Sequence, residues 1–394
     1  MRDFLQQARG LHAELVELRR DLHRHPELSF QEQRTAARAA DAVEALGFRT
    51  RRGVGGHGVV AELGTGDGPI VALRADMDAL PISETNAAEY RSTVDGVMHA
   101  CGHDAHTAML IGAARLLADA LRDYGLPHGT VRLLFQPAEE LSDARNRSGA
   151  RLMIDDGAME GVRAIYALHV GPHLPAGKLF TRAGGIMAGS DTFTARILGQ
   201  ASHGARPDQG VDAIVLTAHV VLAAQNAVAR TISPMESGVV TIGVIRGGSA
   251  ENIIADSVSL EGTLRYFDPE VRRQLRAALE RALAVADAMG GDHELQIRDG
   301  YPPTRNDPEA TRIAVEAGRA MLGDDGVWDA HPMMGTEDFA ILLTQAPGSL
   351  LWLGAAPEDG PRELHRPDMD IDERILATGA AALAACAWKA LEEL

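Results

Sequence analysis

Short apolar segments alternate with helical segments along the first 170 residues of the chain. The segments GVVAEL, PIVALRADM, TVRLLFQP and AIYALHV each have the length of a buried strand, and helical stretches precede and separate them. Continuous apolar strands that alternate with helices are typical of a mostly parallel sheet covered by helices on both faces. We therefore predict an α/β fold for this part of the chain.

A different pattern begins after Gly184 and Gly185 and continues to about residue 300. It reads as strand, helix, strand, strand, helix, strand, which is the size and order of a small α+β domain. The segment YPPTRNDP then has the composition of a linker, and helices with short strands follow it. We predict a catalytic domain formed by residues 1–184 and 301–394, interrupted by an inserted α+β (βαββαβ) lid domain at 185–300.

Composition excludes several classes of partner. The chain has 394 residues, enough for two domains, and a formal net charge of -17, which repels phosphate backbones and anionic lipid. We therefore expect no nucleic-acid partner and no membrane partner, and we find no apolar run long enough to span a bilayer. The start, MRDFLQQARG, lacks the apolar core of a signal peptide. With only two cysteines, the chain is expected in the reducing cytoplasm.

Ionisable and soft side chains cluster where the predicted strands end. In open parallel sheets, sites form outside the carboxyl ends of the strands. Three strands are followed by such residues, and the motif HACGHDAH precedes a helix. The residues concerned are Asp76, Asp78, Cys101, His103, His106, Glu139, Glu140 and His169.

Each of these groups alone has an ordinary structural explanation. Glu139 and Glu140 could offset a helix dipole, His169 could be a core histidine, and His106 could be a cap or an outer partner. Together they need a counter-charge, because burying so many ionisable groups is costly. Thiolate and imidazole favour Zn²⁺ or a similar ion, carboxylates extend the preference toward Mn²⁺, and so many donors favour two ions that activate a shared water.

Three other residues receive structural interpretations. His23 and His25 lie where the first helical segment stops at Pro26, and we expect both to face solvent at a helix C-terminus. Cys386 lies in the helical stretch ALAACAW and is expected in the core.

An ordered series of motifs along nearly the whole chain resembles the M20 family of dinuclear metallo-amidohydrolases and peptidases. The resemblance is strongest to the cysteine-containing branch of N-acyl-amino-acid amidohydrolases, which includes hippurate hydrolases and auxin-conjugate hydrolases. The matching motifs are LRRDLHRHPELSFQE, LRADMDALPI, MHACGHDAHTAMLIGAA, LLFQPAEE, ALHVGPHLPAG, GQASHGARPDQGVDAI, ENIIADSVSLEGTLR, MMGTEDFA and LHRPDMDID.

The resemblance implies a role for each matching position in the catalytic domain. Glu139 falls at the general base, and Asp76 and Asp78 fall beside the ligands as residues that orient them. Cys101 falls at the position of a bridging ligand. The implied metal ligands are Cys101, His103, Glu140, His169 and His365.

The inserted segment resembles the family's lid, which implies a homodimer or higher homo-oligomer formed through it. His203 matches a lid histidine that reaches into the partner's active site and stabilises the oxyanion. Asn252 and Arg265 match lid residues that hold a substrate carboxylate.

The resemblance therefore implies a hydrolase that cleaves the amide bond of N-acyl amino acids such as hippurate. A metal-activated water would be the nucleophile, with two ions of Zn²⁺ or Mn²⁺ as cofactors and Co²⁺ or Ni²⁺ as further candidates. Two alternatives remain open at this point: a dipeptidase or aminopeptidase of the same fold, and a non-catalytic protein that binds acyl amino acids or metal.

Overall fold

The computed structural model describes residues 3–125 and 127–394, which form two compact units. The larger unit comprises the chain up to Ile186 together with Thr304–His331 and Asp338–Leu394. The smaller unit comprises Met187–Pro303 and Pro332–Glu337. The sequence pattern gave no sign that the short segment Pro332–Glu337 belongs with the smaller unit.

The elements follow one another in chain order. Before the smaller unit they are α1 (Phe4–Gly10), α2 (His12–Arg24), α3 (Gln33–Ala45), β1 (Arg49–Val54), β2 (Gly58–Gly64), β3 (Ile70–Asp76), α4 (His103–Tyr124), β4 (Thr130–Gln136), α5 (Gly149–Asp155), β5 (Val162–Gly171), β6 (Leu179–Thr181) and β7 (Gly184–Met187). The smaller unit has β8 (Gly189–Leu198), β9 (Ser202–His203), α6 (Ala213–Thr231), β10 (Gly238–Gly247), β11 (Ile253–Ile254), β12 (Ser257–Tyr266), α7 (Pro269–Leu283), α8 (Val285–Ala288) and β13 (Asp292–Asp299). The larger unit resumes with β14 (Thr304–Asn306), α9 (Pro308–Leu322), β15 (Val327–Asp329), α10 (Phe339–Leu342), β16 (Gly348–Gly354) and α11 (Leu376–Glu393).

The larger unit is built on an eight-stranded sheet in the order β1-β2-β4-β3-β5-β16-β6-β15. Its centre is parallel, because β3 runs parallel to both β4 and β5, and β16 runs parallel to β5. Every residue of β4 and β16 is buried, which is the pattern of strands covered on both faces. The antiparallel pairs β1–β2, β2–β4 and β16–β6 flank the parallel centre on its two sides. This sheet confirms the predicted α/β class.

Two helices among the described residues are long and apolar enough to cross a membrane by length and hydropathy, so our expectation that no apolar run reaches that length was wrong. The helix Glu373–Glu393, which includes α11, has 83% of its apolar window buried in the core of the larger unit. The helix Ala213–Thr231 has only 28% of its window buried. Long alanine- and leucine-rich core helices meet the same test as membrane spans.

The smaller unit is a four-stranded antiparallel sheet in the order β10-β12-β8-β13, with α6 and α7 packed against one face. Residues alternate along β8, so that Phe193, Ala195 and Ile197 point into the core and the residues between them are exposed. The chain order of its main elements is βαββαβ.

Candidate metal centre

The candidate centre lies at the carboxyl ends of the parallel strands of the larger unit. Asp76 is the last residue of β3, and Glu139 and Glu140 follow the end of β4 after two residues. His169 lies near the end of β5, and α4 begins at His103. The rule for parallel sheets thus places these residues on one edge, as the sequence predicted.

Gly102 shapes the turn that presents Cys101 and His103. Its φ is +87°, a conformation in which a side chain is strained, and a Cβ there would lie 2.3 Å from a methyl carbon of Val170. Cys101 is buried, with 7% of its surface exposed. The turn therefore brings the thiol and the His103 ring to the strand that carries His169.

Donor atoms form two groups that share Cys101. One group consists of Cys101, His103 and His169, and the other of Cys101, Glu140 and His365; within each, the donor atoms lie within 4.8 Å of one another. Sγ of Cys101 is 3.5 Å from Nε2 of His169, and Nε2 of His365 is 3.1 Å from Oε1 of Glu140. Two groups of three donors that share one sulfur have the chemistry to hold a pair of divalent cations.

The outer nitrogens of two histidines are already engaged. Nδ1 of His103 is 3.2 Å from Oδ1 of Asp78, and Nδ1 of His169 donates to the Val170 carbonyl at 2.8 Å. Nε2 of His103 is buried and has no hydrogen-bond partner among the residues that the structure describes. Metal-binding histidines characteristically donate one ring N–H to an outer acceptor and present the other nitrogen to the ion.

His106 belongs to the support rather than to the donor set. Its Nδ1 donates to Oδ1 of Asp76 at 2.6 Å, and its Nε2 accepts the Val170 N–H at 2.9 Å. Both ring nitrogens are therefore used. Asp76 in turn accepts from the buried Arg74 at 2.6 Å. The guanidinium group of this β3 residue therefore fixes the position of Asp76 and, through it, of His106.

The electrostatics of the centre call for added positive charge. Burial together with the carboxylates of Glu140 and Glu139 raises the pKa of the Cys101 thiol well above its usual value. Burial opposes protonation of His103, yet Asp76 and Asp78 raise its pKa to about 10. A divalent cation would offset this field and stabilise the thiolate, so the donor set fits such an ion.

Left-handed backbone conformations mark two positions at the centre. His365 has a φ of 61°, and its N–H donates to the Ala100 carbonyl at 2.8 Å, next to Cys101. Ala138, immediately before Glu139, has a φ of 48°. Strained residues of this kind concentrate at functional sites, where the surrounding structure holds them in place.

Two residues at the centre, Asp338 and Trp352, were not predicted from the sequence. Asp338 is fully buried, accepts from Arg74 and Gln136 at 2.8 Å, and directs its own N–H toward Glu139 Oε1 at 3.4 Å. The ring of Trp352 lies 4.5 Å from the His169 ring. Asp338 lies in the motif MMGTEDF, but its contacts could not be predicted because its partners are distant in sequence.

The prediction that His23 faces solvent was wrong. Only 1% of its surface is exposed, and Nδ1 lies 2.7 Å from Asp104, which also accepts from the buried Arg19 at 2.7 Å. His25 is partly exposed, with 43% of its side chain accessible. Cys386 is buried as predicted.

The three implied lid residues lie in the smaller unit and are not all close together. His203 is exposed, and its backbone lies opposite that of Ile253 in the antiparallel pair β9–β11. Its Nδ1 accepts the Ala205 N–H at 3.0 Å. The carbonyl of exposed Asn252 accepts from Gly204, so Asn252 and His203 are neighbours. Arg265 lies near the other end of β12, where it donates to the Met334 carbonyl at 2.6 Å.

The sequence model of peptidase family M20/M25/M40 matches residues 72–389. The chain belongs to this family, which confirms the resemblance found in the motifs. Within the family, its relatives place it in the amidohydrolase branch.

Two curated relatives and one solved structure illustrate the similarity. The chain is 38% identical to the IAA-amino acid hydrolase ILR1-like 2 of Arabidopsis thaliana, over 96% of this chain and 85% of the relative. It is 39% identical to the N-acetyl-L-cysteine deacetylase of Bacillus subtilis, over 93% of this chain and 85% of the relative. A Bacillus subtilis protein described as a dinuclear metal-binding peptidase of the M20 family superposes with a TM-score of 0.85 at 35% identity, covering 98% of this chain and all of the other.

Proposed function

We propose that this protein hydrolyses the amide bond of N-acyl amino acids at a centre of two divalent cations. The observation that carries the proposal is the pair of donor groups that share Cys101 beside Glu139. Cys101, His103 and His169 would hold one cation, and Cys101, Glu140 and His365 the other. Zn²⁺ and Mn²⁺ are the first candidates for this donor set, followed by Co²⁺ and Ni²⁺.

Separate residues would carry out the separate steps of amide hydrolysis. Divalent cations held there would activate a water by lowering its pKa to about 7 and would polarise the scissile carbonyl. Glu139, which is 7% exposed, accepts the proton of that water and passes it to the leaving nitrogen. Asp78 and Val170 keep the His103 and His169 rings oriented through their outer nitrogens.

The names of the relatives support an acyl amino acid as the substrate class. One relative is a hydrolase of IAA-amino acids and another deacetylates N-acetyl-L-cysteine, so both act on an amino acid that carries an acyl group. We therefore assign the class from the shared amino-acid part, whose carboxylate Arg265 and Asn252 would bind.

We also propose that the working form is a homodimer. Arg265 follows Ser257, the first residue of β12, by eight residues, or about 26 Å at the usual strand rise, whereas Asn252 precedes Ser257. The two residues therefore approach β12 from opposite ends, which favours a carboxylate held by Arg265 of one copy and Asn252 of another. A second copy would supply His203 and Asn252, with His203 stabilising the oxyanion.

A substrate panel tests the proposal. Protein loaded with Zn²⁺, Mn²⁺, Co²⁺ or Ni²⁺ is assayed for release of free amino acid from hippurate, N-acetyl amino acids, indole-acyl amino acids and unblocked dipeptides. We expect kcat/KM for the best acyl amino acid to exceed that for any dipeptide by at least about 100-fold. A preference for dipeptides would instead make the protein a dipeptidase, and binding without turnover would make it a binding protein.

A further inference from the structure

The motif segment LSFQE, residues 28–32, contains a buried carboxyl group to which the proposed chemistry gives no role. Glu32 is fully buried, with 0% of its surface exposed. Its Oε1 accepts two backbone hydrogen bonds, from Phe30 N–H at 3.0 Å and from Ala138 N–H at 2.7 Å. Oε2 is buried and has no hydrogen-bond partner among the described residues. One oxygen therefore joins a segment near the start of the chain to the loop that carries Glu139 and Glu140.

The backbone of Ala138 has a conformation that neighbouring groups must stabilise. Its φ is 48°, in the left-handed region that residues other than glycine seldom adopt. Its N–H donates to Glu32, and its carbonyl accepts from Gly149 N–H at 2.8 Å. A Cβ at Gly149 would lie 1.5 Å from the Pro137 carbonyl oxygen, so the two backbones are in direct contact. Both polar backbone groups of Ala138 are thus fixed by groups outside its own loop.

The same segment supports the loop at a second point. Ser29 Oγ donates to Asp78 Oδ2 at 2.6 Å, and the same oxygen accepts the Glu140 N–H at 3.0 Å. The other oxygen of Asp78 faces Nδ1 of His103 at 3.2 Å. Residues 29–32 therefore contact the backbone of Ala138 directly and are linked to that of Glu140 through the Asp78 carboxylate.

We propose that Glu32 is a positioning residue: its Oε1 holds Ala138 in the left-handed conformation and so directs the side chains of Glu139 and Glu140 into the metal centre. The part of the inference that concerns Glu139 rests on the proposed function, because it takes Glu139 as the general base. The part that concerns Glu140 needs only that Glu140 is a metal ligand. Without Oε1, the Ala138 N–H becomes a buried donor without an acceptor, and rotation of this peptide turns both carboxylates away.

The charge state of Glu32 agrees with a role as an acceptor rather than as an ion-pair partner. Burial and the Asp78 carboxylate raise its pKa to about 7. A protonated carboxyl keeps one oxygen free to accept, which is all that the two backbone N–H groups require. Glutamine has the same shape and the same acceptor, so Glu32→Gln is expected to preserve the contact.

The test removes and then restores the acceptor, using Zn²⁺ as the probe. Glu32→Ala removes the carboxyl oxygen that accepts the Ala138 N–H. Glu32→Asp keeps a carboxyl group, but its side chain is one methylene shorter and no longer reaches Ala138. For both variants we expect zinc affinity, measured by competition with a chromophoric chelator, to fall about 10- to 100-fold. In the zinc-loaded enzymes kcat on the best acyl amino acid should fall by a similar factor, with KM within about threefold. If Glu32→Ala does not fold, Glu32→Asp gives the same measurement.

Two substitutions are expected to restore function. Glu32→Gln should stay within about threefold of the unmodified protein in zinc affinity and kcat. Ala138→Gly added to Glu32→Ala should recover most of both losses, because glycine adopts a positive φ without a side-chain clash. Glu84→Ala is the matched control: it removes another buried carboxylate, whose hydrogen bonds run to His23, Asn86 and Ser92, and should leave zinc affinity unchanged.

Unchanged zinc affinity and kcat in a folded Glu32→Ala or Glu32→Asp variant would overturn the inference. A loss that neither Glu32→Gln nor Ala138→Gly restores would also overturn it, since Glu32 would then act through something other than Ala138. If no acyl amino acid is hydrolysed by the unmodified protein, the proposed function fails while the zinc measurement still decides the role of Glu32.

Discussion

Glu139 is set apart from its neighbour Glu140 by the groups that approach each residue. The Asp338 N–H points toward the Glu139 carboxylate, and Asp338 is itself held by the buried Arg74. Glu140 lies against His365, and its backbone N–H donates to Asp78. Two adjacent carboxylates can therefore have separate tasks, one accepting a proton and the other binding a cation.

Glu139→Gln tests that division. The amide keeps the shape of the side chain but cannot accept a proton, so turnover should fall about 10²- to 10⁴-fold. Metal content, measured by elemental analysis after gel filtration, should remain at the level of the unmodified protein. Loss of metal would instead make Glu139 a ligand, and near-normal turnover would exclude it as the base.

The raised pKa of Glu32 predicts a pH-dependent stability. Its pKa is about 7 in the folded chain, against 4.5 as its ordinary value. The unfolded chain therefore loses the proton first, so the stability associated with the protonated group is complete below about pH 4.5 and is lost as the pH rises toward 7. The loss is on the order of 3 kcal/mol. In urea unfolding of metal-free protein, we expect the stability of the unmodified chain relative to Glu32→Gln to fall between these pH values; a constant difference would contradict the assignment.

At the scale of elements, the strands β2 to β5 could be predicted because their apolar runs are local signals. β3 spans Ile70–Asp76 within the predicted segment 69–77, and β4 spans Thr130–Gln136 within 130–137. The ends of these strands also located the ionisable residues. The contacts of His23, Arg74 and Asp338 could not be predicted, because each has a partner more than eighty residues away in the chain. The strand RTRRGV at Arg49–Val54 lacked an apolar run and was missed.

The turn before α4 gives a prediction at the same scale. Gly102→Ala would place a Cβ 2.3 Å from the Val170 side chain at a φ of +87°. Val170 adjoins His169, so the displacement should lower stability by about 1–3 kcal/mol and also weaken zinc binding. Chemical denaturation and chelator competition measure the two effects. Gly10→Ala in α1, where a Cβ meets nothing within 4 Å, is the control; it should leave zinc binding unchanged and should not lower stability.

At the scale of the whole molecule, the smaller unit leaves apolar surface uncovered. Ile214, Val215 and Leu222 of α6 are 50%, 49% and 69% exposed, and Ile245 of β10 is 54% exposed. β10 is an edge strand of its sheet, with one side open to pairing. Residues of α6 and β10, including Leu222 and Ile245, line a shared groove of about 580 Å³. An apolar helix face beside an open strand edge is the kind of surface that a second copy can cover.

The double substitution Leu222→Asp with Ile245→Asp tests the proposed homodimer. Placing two carboxylates on this face should convert a dimer to a monomer in light scattering at micromolar concentration, because a charge buried without a partner is costly. If a second copy supplies His203 and Asn252, kcat/KM should fall about 100-fold or more while bound metal stays constant, since the five proposed ligands lie in the larger unit. Tyr124→Asp, at a residue of the larger unit that is 70% exposed, is the control and should remain dimeric and active. A monomeric unmodified protein with full activity would contradict the proposal, because the substrate carboxylate would then have to be held within one chain.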